Sequence, residues 1–456
     1  MGAHEVDVVV IGLGVGGEEV GGRLAAAGLD VVGIEDRLVG GECPYWGCVP
    51  TKMMIRAANL LTEARRVPGL AGSAEVTPDW APVAARIRDE ATDDWNDKVA
   101  VDRFTGKGGR FVRGRGVLTG PRRVRVGEDE YTARRGVVLA TGTAPVPPPV
   151  EGLAGTPYWT NREAVEVRTL PASLIILGGG AIGVELAQVF ARFGVTVTVV
   201  ERSDRLVAVE EPEASDLADK ALRGDGIDVR TGATTTRVAY TDDGFAVSLG
   251  DGTTLRAEKL LVAAGRRAAL DTLGLDTVGL DPSAHSIATD AWMRAGDGLW
   301  AVGDVTGHGA FTHMAMYEAD VAVRDILGQG GPPADYRAVP RVTFTDPEIG
   351  SVGLTEKQAR DAGLAVTTGT ASIPSSSRGW IHKAGNDGFI KLVAADGLLV
   401  GATSAGPTGG EVLAALTVAI AGRVPVAQLG HMIWAYPTFH RALGDALRDL
   451  GQPATA

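Results

Sequence analysis

The sequence predicts an α/β protein that contains two Rossmann-like dinucleotide-binding folds. One observation is a strand, a glycine-rich turn, a helix and a second strand that occur in this order twice along the chain. The other is the length of 456 residues, which at about 150 residues per domain leaves room for a third domain. With 45% hydrophobic residues, the chain has enough apolar side chains for ordinary cores.

The two copies of this design share their order and their spacing. The first runs through strand 8–11, the glycines Gly12, Gly14 and Gly17, a helix to about residue 27, and strand 31–34 ending at Glu35. The second runs through strand 174–177, the glycines Gly178, Gly180 and Gly183, a helix to residue 193, and strand 195–200 ending at Glu201. In both copies the glutamate follows the third glycine by 18 residues. One such pattern is weak in a chain with 63 glycines, but two ordered copies indicate two dinucleotide sites.

Each residue type in the repeated design has a physical role. The first glycine allows a tight turn, the second lets a pyrophosphate approach the backbone, and the third lets the helix pack closely on the strand. The N-terminus of the helix then faces the phosphates. Glu35 and Glu201 are each expected to accept hydrogen bonds from the ribose of an adenosine.

Two more strand ends support a flavin at the N-terminal site. They are the strand at 137–142, which ends in the small-residue turn Thr141-Gly142, and the strand at 299–304, whose last residue is the carboxylate Asp304. The proline-rich stretch 145–150 indicates a stiff linker, so we expect the flavin fold to be interrupted by the second nucleotide fold and resumed after it. The predicted domains are 1–150 (FAD, first part), 151–270 (NAD(P)), 271–338 (FAD, second part) and 339–456 (a third domain).

The only two cysteines, Cys43 and Cys48, lie five positions apart in a segment that contains glycine and proline. A permanent bridge across so short a loop would stabilise the fold by about 2 kcal/mol or less. The same spacing suits a disulfide that opens and closes during turnover. Pro50 is expected to be the first residue of a helix, and a thiol near that N-terminus favours the thiolate, most simply Cys48.

Two other interpretations of the cysteines are a pair of core thiols and half of a metal site. A zinc site needs about four ligands, yet there is no third cysteine, and His308 and His313 lie far along the chain. No metal site is therefore expected. A redox disulfide flanked by two nucleotide sites implies a relay in which a nicotinamide reduces a flavin and the flavin reduces sulfur.

The balance of charges and the apolar patterning exclude several partners. With 44 basic and 56 acidic residues the formal net charge is −12, which argues against a nucleic-acid partner. We see no apolar stretch of about 18 residues that would span a membrane, and strand 8–11 lacks the basic flank of a signal peptide. A catalytic cysteine pair fits a cytoplasmic enzyme better than a secreted one.

Taken together, these motifs resemble the pyridine nucleotide-disulfide oxidoreductases, the family of dihydrolipoamide dehydrogenase, glutathione reductase and mercuric reductase. The resemblance runs essentially end to end, and it includes Lys52 after the second cysteine and a C-terminal segment that begins at Val342. It implies bound FAD, a nicotinamide cofactor and a small-molecule electron acceptor. It also implies a C-terminal α+β dimerisation domain, with each active site of a homodimer completed by the partner.

The resemblance implies roles for four side chains. Cys48 is expected to be the thiol beneath the flavin, and Cys43 the thiol that attacks the substrate. Lys52 is expected to approach the flavin and to pair with Glu185. That pair is chemically sensible, because a fixed cation beside the ring stabilises the negative charge that reduction brings.

The resemblance also assigns residues to the two cofactors. Those placed at FAD are Gly12, Gly14, Gly17, Glu35, Thr141, Gly142, Gly303 and Asp304, and those at the nicotinamide cofactor are Gly178, Gly180, Gly183 and Glu201. Glu35 would hold the adenosine ribose of FAD and Asp304 its ribitol. Glu201 favours NADH over NADPH because a carboxylate repels a 2′-phosphate, whereas Arg202 and Arg205 could instead fold toward such a phosphate.

One departure from the family concerns the acid-base. Thiol-reducing members carry a His-Pro with a glutamate four residues after the proline, whereas this chain has Tyr436 and Arg441 at those places. A phenol with a pKa of about 10 is a poor base, and loss of a positioned acid-base typically removes about 10² to 10⁴ in rate. His440 or His313 could supply protons instead. Mercuric reductases also carry a tyrosine here but normally add a C-terminal cysteine pair, so mercury is not favoured as the acceptor.

The sequence therefore favours an FAD-dependent NAD(P)H oxidoreductase that reduces its own Cys43/Cys48 disulfide and then a quinone, a metal ion or an unusual disulfide. Tyr45 and Trp46 between the cysteines either pack, which is the favoured interpretation, or form a platform for a flat acceptor. Two alternatives stay open. One is a disulfide reductase like dihydrolipoamide dehydrogenase that uses His440, and the other is a catalytically disabled flavoprotein that acts as a redox sensor.

Overall fold

A computed structural model describes residues 2–451 of the chain; Met1 and the terminal stretch 452–456 lie outside the described residues. The chain divides into two compact units. The first comprises the chain up to Thr51, Ala84–Val146 and Gly265–Tyr336. The second comprises Lys52–Val83, Pro147–Ala264 and the chain from Arg337 onward.

The strands and helices are numbered in chain order. The strands are β1 (Ala3–Ile11), β2 (Val31–Glu35), β3 (Arg110–Arg113), β4 (Gly116–Gly120), β5 (Arg123–Val126), β6 (Asp129–Leu139), β7 (Ala144–Pro145), β8 (Ser173–Leu177), β9 (Thr196–Val200), β10 (Asp228–Arg230), β11 (Thr235–Thr241), β12 (Gly244–Leu249), β13 (Thr254–Ala257), β14 (Lys259–Val262), β15 (Arg266–Arg267), β16 (Arg294–Gly296), β17 (Leu299–Ala301), β18 (Pro340–Thr343), β19 (Glu348–Gly353), β20 (Thr367–Ser372), β21 (Phe389–Ala395) and β22 (Leu398–Gly406). The helices are α1 (Val15–Ala26), α2 (Glu42–Tyr45), α3 (Cys48–Arg65), α4 (Ala81–Arg86), α5 (Lys98–Gly106), α6 (Asn161–Glu166), α7 (Ala181–Arg192), α8 (Pro212–Gly224), α9 (Thr312–Leu327), α10 (Glu356–Asp361), α11 (Ser377–His382), α12 (Gly409–Ala421), α13 (Val426–Gly430) and α14 (Ala442–Asp449).

The first unit is built on a sheet with the strand order β16-β17-β6-β1-β2-β3, to which β5 and β4 are added through β6. The central strand β1 pairs in parallel with both β2 and β6. Its apolar run of valines is buried on both faces, as expected for a parallel strand covered on two sides. Two separate clusters of buried apolar side chains lie against this sheet, and one of them includes residues of α1 and α9.

The pairing of β17 with β6 brings distant parts of the chain together. Leu299 pairs with Val137, and Ala301 pairs with Leu139, in parallel. Because parallel strands end at the same edge of a sheet, the turns that begin at Thr141 and Gly303 emerge side by side.

The described residues of the second unit form three sheets. A parallel sheet of the order β10-β9-β8-β14 carries the second glycine-rich turn after β8, and a three-stranded antiparallel sheet β11-β12-β13 follows it in the chain. The C-terminal sheet, β18-β19-β22-β21-β20, is antiparallel throughout. Its apolar face packs against α12 and α14 in one core cluster.

Most predicted elements around the glycine-rich turns are confirmed. The structure contains α1, α7 and three of the four flanking strands within one or two residues of the predicted places, whereas β1 begins at Ala3, five residues before the predicted strand 8–11. The prediction that Pro50 begins a helix is wrong, because α3 begins at Cys48. Proline is tolerated at the third helical position because the first four N–H groups of a helix have no partner within it. No helix in residues 2–451 is long and apolar enough to cross a membrane.

Candidate active site

The two glycine-rich turns hold their glutamates in the same way. Glu35 accepts hydrogen bonds from the backbone N–H of Leu13 and of Arg37, both at 2.8 Å. Glu201 accepts them from the backbone N–H of Gly179 and Ser203, both at 2.6 Å. Each carboxylate is therefore fixed by the turn that precedes the helix and by the loop that follows its own strand. Burial raises the pKa of Glu35 above its usual value.

The first glycine of each turn has a backbone that other residues rarely adopt. Gly12 has a φ of +89° and Gly178 a φ of +114°. A side chain at Gly12 would overlap the carbonyl of Ala140, and one at Gly178 would overlap the carbonyl of Ala263. These positions have no alternative to glycine without a shift of the adjoining strand.

Room beside the turns fits bound dinucleotides. A Cβ added to Gly180 would meet no atom within 4 Å, and one added to Gly14 would meet only the Cα of Gly41, at 3.9 Å. Thr141 supplies a second observation, since its hydroxyl oxygen is buried and has no hydrogen-bond partner among the described residues. A polar ligand group beside this turn would satisfy that hydroxyl. The residues present therefore fit a flavin dinucleotide at the first turn and a second dinucleotide at the other.

A chain of hydrogen bonds fixes Asp304 at the edge of the first sheet. Thr143 donates its hydroxyl to Asp304 Oδ2 at 2.7 Å. Arg266 in turn donates from Nε to the Thr143 hydroxyl at 3.0 Å and from Nη2 to the Thr143 carbonyl at 2.8 Å. Two side chains that the sequence did not single out thus orient the predicted ribitol ligand.

The two cysteines are thiols that lie close together, with Cys43 in α2 and Cys48 at the start of α3. The Cys48 sulfur lies 3.3 Å from the hydroxyl of Thr312, the first residue of α9. A hydrogen bond to Cys48 and burial raise the pKa of the Cys43 thiol, while a hydrogen bond to Thr312 opposes that rise. The proton of Cys43 is therefore harder to remove than that of an ordinary cysteine thiol. Cys48 is at the N-terminus of its own helix, which favours a thiolate.

The aromatic residues between the cysteines differ in burial. Tyr45 is only 5% exposed, and its carbonyl accepts a hydrogen bond from Trp95 Nε1 at 3.3 Å. Trp46 is half-buried and packs 5.9 Å from the Tyr45 ring, between centroids. Tyr45 therefore has a packing role, which agrees with the favoured interpretation. Its buried ring is not available as a stacking surface for a flat acceptor.

In the second unit, Lys52 and Glu185 form an ion pair. Lys52 Nζ lies 2.7 Å from Glu185 Oε2, and the Glu185 side chain is only 6% exposed. The other oxygen of Glu185 accepts the backbone N–H of Phe344 at 2.8 Å. The Lys52 ammonium also lies 4.6 Å from the centroid of the Phe344 ring. The structure thus brings the predicted pair together and adds Phe344 as a third member.

A buried polar network supports the segment that carries Phe344. Arg192 is 3% exposed, and it donates to Asp225 at 3.0 Å, to Asp346 at 2.9 Å and to Asn59 at 2.6 Å. Gln188, one turn earlier on α7, accepts the backbone N–H of Asp346 at 2.8 Å and donates to its carbonyl. Asp346 is therefore held by both its side chain and its backbone.

The structure does not assemble an acid-base pair from the C-terminal candidates. Tyr436 is 72% exposed, and His440 lies in the short 3₁₀ helix Phe439–Arg441. Arg441, at the place of the family's glutamate, pairs with Asp445 on α14 at 3.3 Å. Within the described residues, no hydrogen bond or ion pair joins Tyr436 or His440 to Lys52 or Glu185.

His313, the other candidate proton donor, and His308 lie near the start of α9. His313 is the second residue of that helix, and its ring stacks on Phe311 with centroids 5.2 Å apart. His308 stacks on Tyr336 with centroids 4.2 Å apart. Over residues 2–451 there is no group of three or more His, Cys, Asp or Glu side chains placed to hold a metal ion.

Sequence reasoning missed Thr143, Arg266, Thr312 and Phe344. Thr143, Arg266 and Thr312 gave no signal, because nothing in the sequence indicates that they contact residues more than 100 positions away. Phe344 was visible as part of a segment used only to support the family resemblance. Its contact with Lys52 depends on the packing of β18 and α7, which the linear pattern does not contain.

Comparison with known proteins places these features in a family. The pyridine nucleotide-disulphide oxidoreductase model matches residues 6–319, and the model of its dimerisation domain matches residues 339–447. A dihydrolipoyl dehydrogenase from Halobacterium salinarum is 35% identical, over 96% of this chain and 95% of the relative. A mercuric reductase from Streptomyces lividans is 34% identical, over 96% of this chain and 94% of the relative.

Solved structures of similar proteins lead to the same family. One is the Cu(II) complex of the HOCl-induced flavoprotein disulfide reductase RclA from Escherichia coli, which is 25% identical. Its TM-score is 0.85, and the match covers 98% of this chain and 99% of that chain. Another is LpdA from Mycobacterium tuberculosis, with 26% identity, a TM-score of 0.85 and coverage of 98% and 100%. Members of the family use FAD and a nicotinamide cofactor, and the chain includes the family's dimerisation domain. Two family models that together span most of the sequence, and relatives aligned over nearly their whole length, show that this chain is an oxidoreductase of the pyridine nucleotide-disulphide oxidoreductase family.

Proposed function

We propose that this enzyme takes two electrons from a reduced nicotinamide, stores them as the Cys43/Cys48 dithiol, and delivers them to a thiophilic metal ion such as Cu(II). Bound FAD would carry the electrons from the nicotinamide to sulfur. The observation that carries the choice of acceptor is Arg441, which pairs with Asp445 at the place where a thiol-reducing enzyme would need a glutamate to orient its base.

Proton balance explains why this arrangement favours a metal ion. When the dithiol reduces two Cu(II) to two Cu(I), the disulfide forms and both thiol protons are released, so no acid has to protonate a product. When the dithiol reduces another disulfide, both product sulfurs must gain protons, and a positioned acid-base speeds that step by about 10² to 10⁴. Two electrons and two protons, from the reduced nicotinamide and solvent, then restore the dithiol.

The residues of the cysteine site fit this role. Cys43 and Cys48 lie within hydrogen-bonding distance of each other, so both sulfurs can contact one ion. Thiolates are the preferred ligands of soft metal ions such as Cu(I). Lys52, held by Glu185, is proposed to lie beside the flavin as the fixed cation. The Cu(II) complex of the related RclA and the related mercuric reductases support a metal acceptor for this chain.

An acceptor screen tests this function. The purified enzyme is incubated anaerobically with NADH and with Cu(II), a quinone, lipoamide or glutathione disulfide, and nicotinamide oxidation and Cu(I) formation are followed. We expect Cu(II) to be reduced at two ions per NADH and the disulfides to be reduced slowly. Cys43→Ser should abolish Cu(II) reduction, whereas NADH-dependent reduction of the flavin should persist in that variant.

Other outcomes decide between the remaining candidates. Fast reduction of lipoamide that is lost in His440→Ala would show a disulfide reductase that uses His440, and would overturn the metal proposal. Turnover with a quinone alone would assign the quinone as acceptor. If NADH generates no alkylatable thiols at Cys43 and Cys48, the protein is not a catalyst of this type, and the redox-sensor alternative is left.

We also propose that NADH is preferred over NADPH. Arg205 is occupied, because it donates to the carbonyls of Glu210 and Ala208 and to the Ser215 hydroxyl. Arg202 is exposed and is the arginine that could reach a 2′-phosphate. We expect Arg202→Ala to leave KM for NADH unchanged, with kcat/KM higher for NADH than for NADPH. A higher kcat/KM for NADPH that falls in Arg202→Ala would contradict this preference.

The remaining proposals concern assembly and location. We propose that the protein is a homodimer whose active site is shared between chains, with Tyr436 facing the partner's cysteine pair. The functional domains are proposed to follow the predicted boundaries at residues 150, 270 and 338. A thiol pair that must stay reducible suits a reducing compartment, which supports the cytoplasm as the location.

A further inference from the structure

The buried carboxyl group of Glu318 lies behind the Gly303–Asp304 turn of the first unit, outside the proposed path of electrons. Glu318 on α9 is 1% exposed. Gly303 donates its backbone N–H to Glu318 Oε2 at 2.6 Å, and Tyr336 donates its hydroxyl to Oε1 at 3.1 Å. Thr306 places its hydroxyl 3.1 and 3.3 Å from the two oxygens. All three partners are neutral, and no Lys or Arg pairs with this carboxyl among the described residues.

The hydrogen-bonding groups around Glu318 can serve either protonation state. Thr306 can donate to Glu318 or to the carbonyl of Gly303, at 2.9 Å. Tyr336 can donate to Glu318 or toward Met293 Sδ, at 3.6 Å. When the carboxyl is ionised, both hydroxyls can point toward it. When it carries a proton, that proton can go to the Tyr336 oxygen while the hydroxyls turn to their other acceptors. The change needs only rotation of hydroxyl groups.

The charged surroundings also leave Glu318 easy to protonate. Burial raises the pKa of Glu318 to about 7, and the negative charge of Asp304 adds to the rise, while the hydrogen bonds from Gly303, Tyr336 and Thr306 oppose it. Of the basic side chains that reach α9 from neighbouring elements, Arg23 and Arg294 are paired with acids, and Arg135 donates to the carbonyl of Ile326. The titratable groups that face the cluster or the helix that carries it are Asp304 on the turn, His308 and Tyr336 stacked together, Tyr317 edge-on to Tyr336, Arg23 of α1 paired with Asp320, and Arg294 paired with Asp325.

A short path joins the buried carboxyl to solvent. Tyr336 is half-buried and bonds directly to Glu318, and the exposed His308 stacks on its ring. A single side chain therefore separates the carboxyl from the surface of the unit.

We propose that Glu318, together with Tyr336, is a proton-binding site that gains a proton from solvent when negative charge is added beside the Gly303–Asp304 turn, and returns it when that charge is removed. The step is RCOO⁻ + H⁺ → RCOOH, with no electron transferred to the residue. This inference rests on the proposed function for its source of charge, which is the arrival of electrons at the flavin held by that turn. Glu318 is a positioning residue for the turn as well as a proton site.

Infrared difference spectroscopy tests the carboxyl directly. The oxidised holoenzyme is titrated across neutral pH, and the C=O stretch of a protonated carboxyl is followed. We expect a band that titrates near neutral pH in the wild type and is lost in Glu318→Gln. The matched control is Asp320→Asn, two residues away on α9, in which the band should persist. Tyr336→Phe should move its titration to higher pH, because the ionised form loses a donor.

Proton uptake tests the coupling. In a weakly buffered solution with a pH indicator, reduction by dithionite should take up fewer protons in Glu318→Gln than in the wild type, by up to about one per subunit. An unchanged infrared band in Glu318→Gln would overturn the proposal, and so would equal uptake in both proteins. Neither measurement uses an acceptor. A titrating Glu318 in an enzyme that reduces no metal ion would therefore overturn the proposed function alone.

Discussion

At the scale of single residues, Lys52 is held by two unlike interactions. Glu185 binds its ammonium through one carboxylate oxygen, and with the other oxygen it binds the backbone of Phe344. The Phe344 ring faces the same ammonium at 4.6 Å. One buried carboxylate therefore fixes both the cation and the ring that contacts it, so Lys52 has little freedom to leave its position.

Substitution at Lys52 tests its proposed role beside the flavin. Lys52→Met should slow NADH-dependent formation of the Cys43/Cys48 thiols by about 10²-fold, because a fixed cation is lost. Phe344→Leu should slow it by only about 2- to 5-fold, since a cation–π contact is worth about 0.5–1 kcal/mol. Rapid-mixing alkylation of the thiols measures both. Arg56→Met, on the exposed side of α3, is the control and should have no effect. A Lys52→Met enzyme with the wild-type rate would contradict the role.

Substitution of the C-terminal pair tests the missing acid-base. Tyr436→His with Arg441→Glu should raise the rate with lipoamide or glutathione disulfide by about 10-fold or more, because the new pair can deliver protons to the product thiols. The rate with Cu(II) should not rise, since that reaction releases protons. Steady-state assays with each acceptor make the comparison. Unchanged disulfide rates would show that this departure does not set the choice of acceptor.

At the scale of elements, α7 presents three polar side chains on one face of an otherwise buried helix. Glu185, Gln188 and Arg192 are spaced by three and four residues, which places them on the same side. All three bind the segment that runs from Phe344 to Asp346. Helix α7, whose N-terminus carries the second glycine-rich turn, thus also fixes the segment that holds Phe344 against Lys52.

Removal of the buried guanidinium tests the strength of this network. Arg192→Met should destabilise the second unit by about 3–5 kcal/mol, because Asp225 and Asp346 would lose a buried countercharge. Arg223→Met, which removes a half-exposed pair with Asp219 on α8, should cost about 0.5 kcal/mol or less. Urea unfolding of both variants gives the comparison. Equal losses of stability in the two variants would contradict the importance of burial.

At the scale of the whole molecule, the carboxyl of Glu318 links stability to pH. Burial raises its folded pKa to about 7, above the usual value of 4.5 for a glutamate, so the folded state binds the proton more tightly than the unfolded state. The resulting stabilisation is fully present below the unfolded pKa and is lost as pH rises through the folded pKa. Acidic conditions therefore favour this part of the fold, contrary to the usual behaviour of an ion-paired carboxylate.

Thermal unfolding across pH measures this linkage. Relative to Glu318→Gln, which cannot ionise, the wild type should lose stability steadily between about pH 5 and pH 8. Asp320→Asn, the control on the same helix, should keep the pH dependence of the wild type. A difference between wild type and Glu318→Gln that does not change with pH would contradict the raised pKa.

Local patterns predicted the nucleotide-binding elements because their chemistry is contained in short segments. The glycine turns, the strands beside them and the glutamates 18 residues later are set by backbone geometry within one strand-turn-helix-strand unit. The prediction that Pro50 is the first residue of a helix failed for a local reason as well. Proline is tolerated anywhere in the first turn of a helix, so its place in the sequence does not show at which residue the helix begins.

By itself, the sequence determined the fold class, the two dinucleotide turns and the cysteine pair, while the partnership of Lys52 with Glu185 was implied by the family resemblance. The tertiary structure alone decided that Thr312 lies against Cys48, that Phe344 faces Lys52 and that Arg441 pairs with Asp445. It also decided that Glu318 is buried with neutral hydrogen-bond partners among the described residues. The reason is physical: hydrogen bonds within a turn repeat with the sequence pattern, whereas burial and the distance between remote side chains arise only when sheets and helices pack.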